Sequence, residues 1–344
     1  METEKKTKVL PETLYGDDIV KFIQNMTDDV EWIADGFITE PSITMIYATD
    51  GIGKSLIGVQ AALELASGLP VFKAFHTTKP LKVVYVVAER SIKEPLKRIK
   101  RMMTDQGLGE HLKLENIAIT TRFQGRDLSK AENTQMLFTV LQEAAQSLGG
   151  MDIIFFDPLY ALVKGDLKSD EAINSVFNFF RLVGSTTGAS IVFLHHENRG
   201  TRIEGEKERS GQDFYGNKFI SGLCTAVWHM IKDGSKEDMR TILVNEKDTE
   251  SALSPRITLE YDPVHGTVKA NISHNSKAKD AIIDAYLKKM ARDSNTFNSD
   301  DFSNSTGLKL HPVSMRRLLS KIQKEGRIKN ISETGTKAVY MALV

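Results

Sequence analysis

The sequence predicts an α/β protein, a parallel-rich sheet flanked by helices, followed by a small helical unit closed by a hairpin. Three observations carry that reading. Apolar runs of strand length alternate with helical periodicities from about residue 32 to 268. One of these runs, residues 153–156, is wholly apolar, as expected for a strand covered on both faces. Past residue 270 the order changes to helix, helix, helix, hairpin.

The elements follow in chain order. Residues 1–30 form a polar arm with one short helix over 17–26, where Ile19, Phe22 and Ile23 repeat at helical spacing. Such an arm is too small to fold alone and packs on its own core or on a neighbouring subunit. A buried strand over 42–47 meets a Gly-containing turn and a helix over 55–66, stopped at Gly68-Leu69-Pro70. A strand over 81–88, a basic helix over 95–103 and a short strand over 116–120 come next. A helix over 132–148 ends at Gly149-Gly150, and a strand over 151–156, a helix over 170–183 and a buried strand over 190–194 complete the alternation. Residues 199–218 are polar, charged and glycine-rich, the pattern of a long loop that is either functional or disordered. Strands over 226–231, 240–245 and 256–261 follow.

Residues 270–279 read as a linker. Beyond it, helices over 278–290 and 311–325 enclose a short element at 300–304. Pro312 sits at a favourable first-turn position. Strands over 327–331 and 337–343 pair around Glu333-Thr334-Gly335-Thr336, giving the order of a winged helix-turn-helix. The expected units are thus an arm (1–30), an α/β core (31–269), a linker (270–279) and a winged-helix domain (280–344).

Composition bounds the function. The chain has 344 residues, with 45 Lys and Arg balanced by 45 Asp and Glu. No whole-chain attraction to nucleic acid or membrane follows, and any basic surface must be local. The C-terminal unit is the basic part, with 13 Lys and Arg against 7 Asp and Glu from Lys277 onward. Cys224 is the single cysteine, so no intrachain disulfide forms. The N-terminal residues do not resemble a signal peptide, and no run approaches the roughly 20 apolar residues of a membrane span. The expectation is a soluble, cytoplasmic protein with no membrane partner.

Two motifs carry the chemistry. Ala48-Thr49-Asp50-Gly51-Ile52-Gly53-Lys54-Ser55 matches a P-loop with alanine in place of the first glycine, set between an apolar strand and a helix. Glycines there let successive N–H groups turn around phosphate oxygens, and the helix N-terminus adds partial positive charge. Lys54 is expected to reach the β- and γ-phosphates of ATP and Ser55 to ligate Mg²⁺. The second motif, Ile153-Ile154-Phe155-Phe156-Asp157, places an acid at the end of a buried strand, where Asp157 holds the metal from the opposite side. Hydrolysis also needs a carboxylate to align water. Pro158 follows Asp157, so that carboxylate is sought elsewhere. Glu89 ends the 83–88 strand, which is expected to lie beside the P-loop strand and to aim Glu89 at the γ-phosphate.

Leu194-His195-His196-Glu197-Asn198-Arg199 ends another buried strand. A metal site is disfavoured, because neighbouring strand residues point to opposite faces. One histidine faces the core and the other the nucleotide, where a polar tip senses the γ-phosphate. The loop beyond offers Arg199, Arg202, Lys207, Arg209 and Lys218, interspersed with Glu204, Glu206 and Glu208. In the C-terminal unit Met315, Leu318, Leu319 and Ile322 form a core stripe. Arg317, Lys321 and Lys324 share another face, with Arg316 nearby, a surface for duplex DNA or for a replication protein. Cys224, Trp32 and Trp228 read as packing residues.

Residues 30–259 resemble the RecA-like ATPases of the plasmid RepA-type hexameric helicases. The resemblance rests on Glu31-Trp32-Ile33-Ala34-Asp35-Gly36, the P-loop, Tyr85-Val86-Val87-Ala88-Glu89 with Arg98 on the next helix, Asp157-Pro158-Leu159 and the Leu194–Arg199 segment. That last segment is also similar to the Gln-x-Asn-Arg segment of DnaB-type helicases, which puts His196 in the γ-phosphate-sensing place. The resemblance implies a RecA-like core, a hexameric ring of identical subunits, ATP bound between subunits and translocation on single-stranded DNA. It also implies a positive finger reaching into the neighbouring subunit's site. Lys247 stands there, in Asn245-Glu246-Lys247-Asp248-Thr249 where the family has Lys-x-Arg, and Gly216-Asn217 replaces its Gly-Ser. The expected function is an ATP-dependent DNA helicase or translocase of plasmid, phage or mobile-element replication. The rivals are a helicase loader or recombination mediator, and an ATP-switched regulator that binds DNA or protein.

Overall fold

The computed structural model describes residues 15–25, 30–104, 107–164, 169–197, 219–233, 240–250, 256–271, 276–293, 295–306, 312–332 and 338–343. Helix α1 (Asp17–Asn25) precedes a small hairpin, β1 (Trp32–Ala34) and β2 (Ile38–Thr39). The alternating part comprises β3 (Ile43–Ala48), α2 (Lys54–Ser67), β4 (Val83–Val87), α3 (Lys93–Met102), β5 (Ile117–Thr120), α4 (Ala131–Leu148), β6 (Ile153–Asp157), α5 (Asp170–Thr187) and β7 (Ser190–His196). Helix α6 (Phe219–Leu223) leads into β8 (Ala226–Asp233), β9 (Arg240–Asp248), β10 (Ile257–Asp262) and β11 (Thr267–Asn271). The remainder is α7 (Ser276–Arg292), β12 (Thr296–Asn298), α8 (Ser299–Thr306), α9 (Pro312–Lys324), β13 (Ile328–Asn330) and β14 (Val339–Ala342).

Nine strands make the main sheet, in the order β11-β10-β9-β8-β3-β7-β6-β4-β5. The six from β8 to β5 run parallel, and β9, β10 and β11 add antiparallel neighbours. Both faces are covered. On one, α2 and the β1–β2 hairpin bury Ile46, Leu194 and Trp228, whose indole donates to the carbonyl of Phe37 at 3.1 Å. On the other, Phe156, Phe177, Phe180 and Phe193 stack edge and face against one another. Truncating Phe180 to Ala should cost about 3–5 kcal/mol.

Polar groups anchor α2 and with it the P-loop. The amide of Gln60 pairs with both backbone groups of Val268 in β11, at 2.6 and 2.7 Å. Glu64, fully buried and pushed by burial up to about 8, accepts the N–H of Phe72 at 2.8 Å. That bond steadies a turn in which Phe72 and Lys73 both adopt positive φ.

The structure corrects two expectations. The strand ending near Glu89 does not lie beside the P-loop strand. Both edges of β3 are taken, by β7 and β8, so β4 stands beyond β7 and β6. The segment read as a linker from residue 270 begins inside β11, whose hairpin with β10 carries it to Asn271, and α7 starts at Ser276. Helix α1 forms, and within this single chain its Ile19, Val20 and Ile23 are exposed.

The C-terminal residues form a three-stranded sheet, β12-β14-β13, with α7, α8 and α9. Tyr286, Phe297 and Phe302 make its aromatic centre, with ring centroids 5.2–5.8 Å apart. Tyr286 also meets His76 of the core. Among the described residues no helix is long and apolar enough to cross a membrane.

Candidate nucleotide site

Strand β3 is almost entirely buried and delivers the chain to the C-terminal edge of the sheet at Ala48. The loop then turns back on itself through Gly51 and Gly53, at φ 78° and 105°. Gly53 caps α2 without any side-chain acceptor, so the first amides of a 14-residue helix face the loop's concavity. A side chain at either glycine would meet a left-handed backbone, which L-residues rarely adopt. Lys54 is 7% exposed and folds over the loop. Its ammonium donates to the carbonyls of Ala48 and Thr49, at 2.7 and 2.9 Å, and lies 3.8 Å from Asp50. Burial lowers its pKa, while the carboxylates of Asp50, Asp157 and Glu197 draw it back up.

Ser55 donates to Oδ1 of Asp157 at 3.0 Å, and Tyr85 donates to Oδ2 at 2.8 Å. Burial raises the pKa of Asp157, against the two hydroxyls and the cations Arg98 and Arg90, which lower it. These residues line a cavity of about 580 Å³ that also takes in Glu89, Tyr160 and His196. Glu89 thus reaches the P-loop cavity although its strand is not adjacent, because the ends of β3, β7, β6 and β4 share one sheet edge. Burial, and after it the nearby Glu89 carboxylate, raises the pKa of the Tyr160 phenol, and the Tyr160 ring lies edge-on against His196, with centroids 4.7 Å apart.

Strand alternation separates the two histidines as expected. His195 is buried on the face of Phe193, and His196 opens to the cavity, its Nδ1 held by Asp50. Burial and nearby Lys54 lower the pKa of His196. A serine hydroxyl and a carboxylate 3.0 Å apart beside an uncapped helix N-terminus suit a hard divalent cation and a phosphate chain.

A family model described as an AAA domain matches residues 11–202, more than half of the chain. The chain belongs to this AAA domain family. Among solved structures, one described as an ATPase domain superposes with a TM-score of 0.54 at 12% identity, covering 73% of this chain and 95% of that one. A DnaB-like replicative helicase, described with its interactions with primase, superposes with a TM-score of 0.52 at 11% identity, covering 73% and 66%. At such identities the likeness establishes the fold, a RecA-like core. No curated protein matches the chain.

A second cavity, of about 510 Å³, shares Asp50, Gly51, Gly53 and Leu56 with the first. Thr49, Ile52, Leu56, Met230, Tyr261 and Val268 line it, with Lys232 and Arg240 at its polar side. Behind the P-loop of this AAA domain protein lies a buried charge network. Tyr47 donates to Glu246 at 2.6 Å, and Glu246 lies 3.2 Å from His229. His229 stacks on Tyr47 and reaches Glu197 at 3.6 Å. Burial alone would lower the pKa of His229, but the two carboxylates outweigh it and raise it to about 9.

Lys247, expected as a finger toward a neighbour, is held within its own chain in this structure. Its ammonium donates to the carbonyls of Ser221, Gly222 and Cys224, at 2.7–3.0 Å, so all three N–H donors close the end of α6. Arg199, Arg202, Lys207, Arg209 and Lys218 lie outside the described residues. Arg316 is exposed on α9, while the side chains of Arg317 and Lys321 lie outside the described set. Sequence reasoning passed over Tyr85 and Tyr160. Only the placing of a tyrosine within or just after an apolar strand hinted at either.

Proposed function

We propose that this protein is an ATP-dependent DNA helicase or translocase that works as a ring of identical subunits, six by analogy, on single-stranded DNA. The observation that carries the ATPase part is the convergence of Lys54, Ser55, Asp157 and Glu89 on one polar cavity at the P-loop. Ala48 to Ser55 would cradle the phosphates of ATP, with Lys54 exchanging its loop carbonyls for phosphate oxygens. Ser55 and Asp157 would hold Mg²⁺, which when bound neutralises charge on the β- and γ-phosphates. Glu89 aligns the attacking water, and His196 senses the γ-phosphate and passes its loss to the segment that follows β7. Tyr261, Met230 and Leu56 supply an apolar slot for the base, with Arg240 and Thr241 at its polar rim. The DNA part rests on the fold shared with DnaB-like helicases and on the basic residues Arg199, Arg202, Lys207 and Arg209. The basic α9 face, with Arg316, Arg317 and Lys321, would dock duplex DNA or a replication protein as a winged helix.

Steady-state ATP hydrolysis with and without single-stranded DNA, beside strand displacement on a forked substrate, tests the proposal. Stimulation and ATP-dependent displacement are expected. Hydrolysis with neither would sink the motor reading and leave the ATP-switched regulator. One observation favours that rival: Lys247 is satisfied within its own chain and presents no ready finger.

A further inference from the structure

Glu89 is exposed at the end of β4, yet the backbone around it is fixed. The amide of Gln124 donates to the carbonyls of Val87 and Arg90, one on each side of it. The freedom left to Glu89 is therefore in its side chain, which has three rotatable bonds. Tyr160 is the group that meets it. Leu159 and Leu162, both fully buried, pin the short turn that carries Tyr160, so its ring projects into the cavity from a rigid base. Its hydroxyl lies near enough to Glu89, across the same cavity, to feel that carboxylate, and its ring rests edge-on against His196, which Asp50 of the P-loop holds in turn. Four side chains thus form a belt around the cavity wall, from the P-loop through His196 and Tyr160 to Glu89.

We infer that Tyr160 is the positioning residue for Glu89, fixing one carboxylate oxygen so that the other addresses water, with His196 as its buttress. Burial and the neighbouring Glu89 push the pKa of the Tyr160 phenol upward, so it stays a donor across the working pH range. A donor so placed restricts the carboxylate without itself contacting the phosphates. Its loss should therefore appear in kcat rather than in KM. This inference rests on the proposed ATPase reading, with Glu89 as the water-aligning group.

The test uses the full chain, with ATP turnover and binding of a fluorescent ATP analogue measured for wild type, Tyr160→Phe, Glu89→Gln and the double variant. Tyr160→Phe keeps the ring and its contact with His196 and removes only the hydroxyl. It should lower kcat about tenfold or more, at unchanged KM and unchanged analogue binding. In the Glu89→Gln background the same change should cost nothing further, because the two side chains act as one unit. A merely structural role would instead add its loss in both backgrounds. Wild-type turnover in Tyr160→Phe, or a loss confined to KM, would overturn the inference while Glu89→Gln still identified the hydrolytic carboxylate. Full activity in Glu89→Gln would overturn the assignment of Glu89 and the inference together.

Discussion

The two cavities that share the P-loop as a wall are similar in volume, about 580 and 510 Å³, and opposite in character. The first is ringed by Asp157, Glu89, Glu94, Arg90, Arg98 and Lys54, so charge dominates it. The second offers Ile52, Leu56, Ile57, Met230, Tyr261 and Val268, with charge only at Asp50, Lys232 and Arg240. One loop therefore divides a place suited to phosphate and metal from a place suited to a flat, mostly apolar group. The difference lies in which strands supply the walls. The charged side comes from β4, β6 and β7, the apolar side from β8 and the antiparallel strands β9 to β11. Substitutions on the charged side should change turnover, and those on the apolar side should change apparent affinity.

The largest effect is expected at Lys54. Lys54→Ala removes the one ammonium inside the loop and should abolish measurable ATP turnover, a loss of at least about a hundredfold. A turnover assay over a wide ATP range checks it. Next comes Tyr85→Phe, which deprives Oδ2 of Asp157 of its donor. Outer-shell partners of metal ligands are commonly worth about 10–100-fold in metal affinity. The Mg²⁺ concentration for half-maximal activity should rise by about that factor, and a Mg²⁺ titration of both proteins measures it. On the apolar side, Tyr261→Ala should raise KM for ATP by about tenfold and leave kcat nearly unchanged, at a cost of the size of one aromatic contact. A fall in kcat instead would move Tyr261 to the chemistry and blur the distinction between the cavities.

The smallest effect concerns the charge network behind the loop. The pKa of His229 is raised in the folded protein to about 9 from an ordinary value of 6.5. The folded state therefore binds that proton more tightly than the unfolded chain. The contribution is fully present below pH 6.5 and is lost as pH rises through about 9, an effect of at most about 3 kcal/mol. Melting temperatures measured from pH 6 to 10 should fall across that window, and the fall should be shallower in His229→Gln.

The legible parts of this molecule are the local ones. Gly51, Gly53, Lys54 and Ser55 sit between a strand and a helix within about 20 residues, and the chemistry of that turn follows from backbone conformation alone. Asp157 at the end of an apolar run was readable for the same reason. Strand order was not, since β3 and β4 are consecutive parallel strands in the chain, and nothing in either sequence says that β7 and β6 are inserted between them. Strand β11 was hidden because Thr267–Asn271 is short and polar, and only its pairing with β10 and the Gln60 amide make it a strand. Tyr85 and Tyr160 resemble packing residues until Asp157 and Glu89 are placed beside their hydroxyls. The carbonyls that bind Lys247 could not be read from its own segment, because they come from α6 and the residue after it, more than 20 residues earlier in the chain.

The most direct test of the central claim is single-turnover ATP hydrolysis by Glu89→Gln, with nucleotide binding measured on the same sample. If the charged cavity is where water is aligned, binding should persist while hydrolysis falls by about a hundredfold or more. Hydrolysis at the wild-type rate with binding intact would place the water-aligning carboxylate elsewhere and contradict the account.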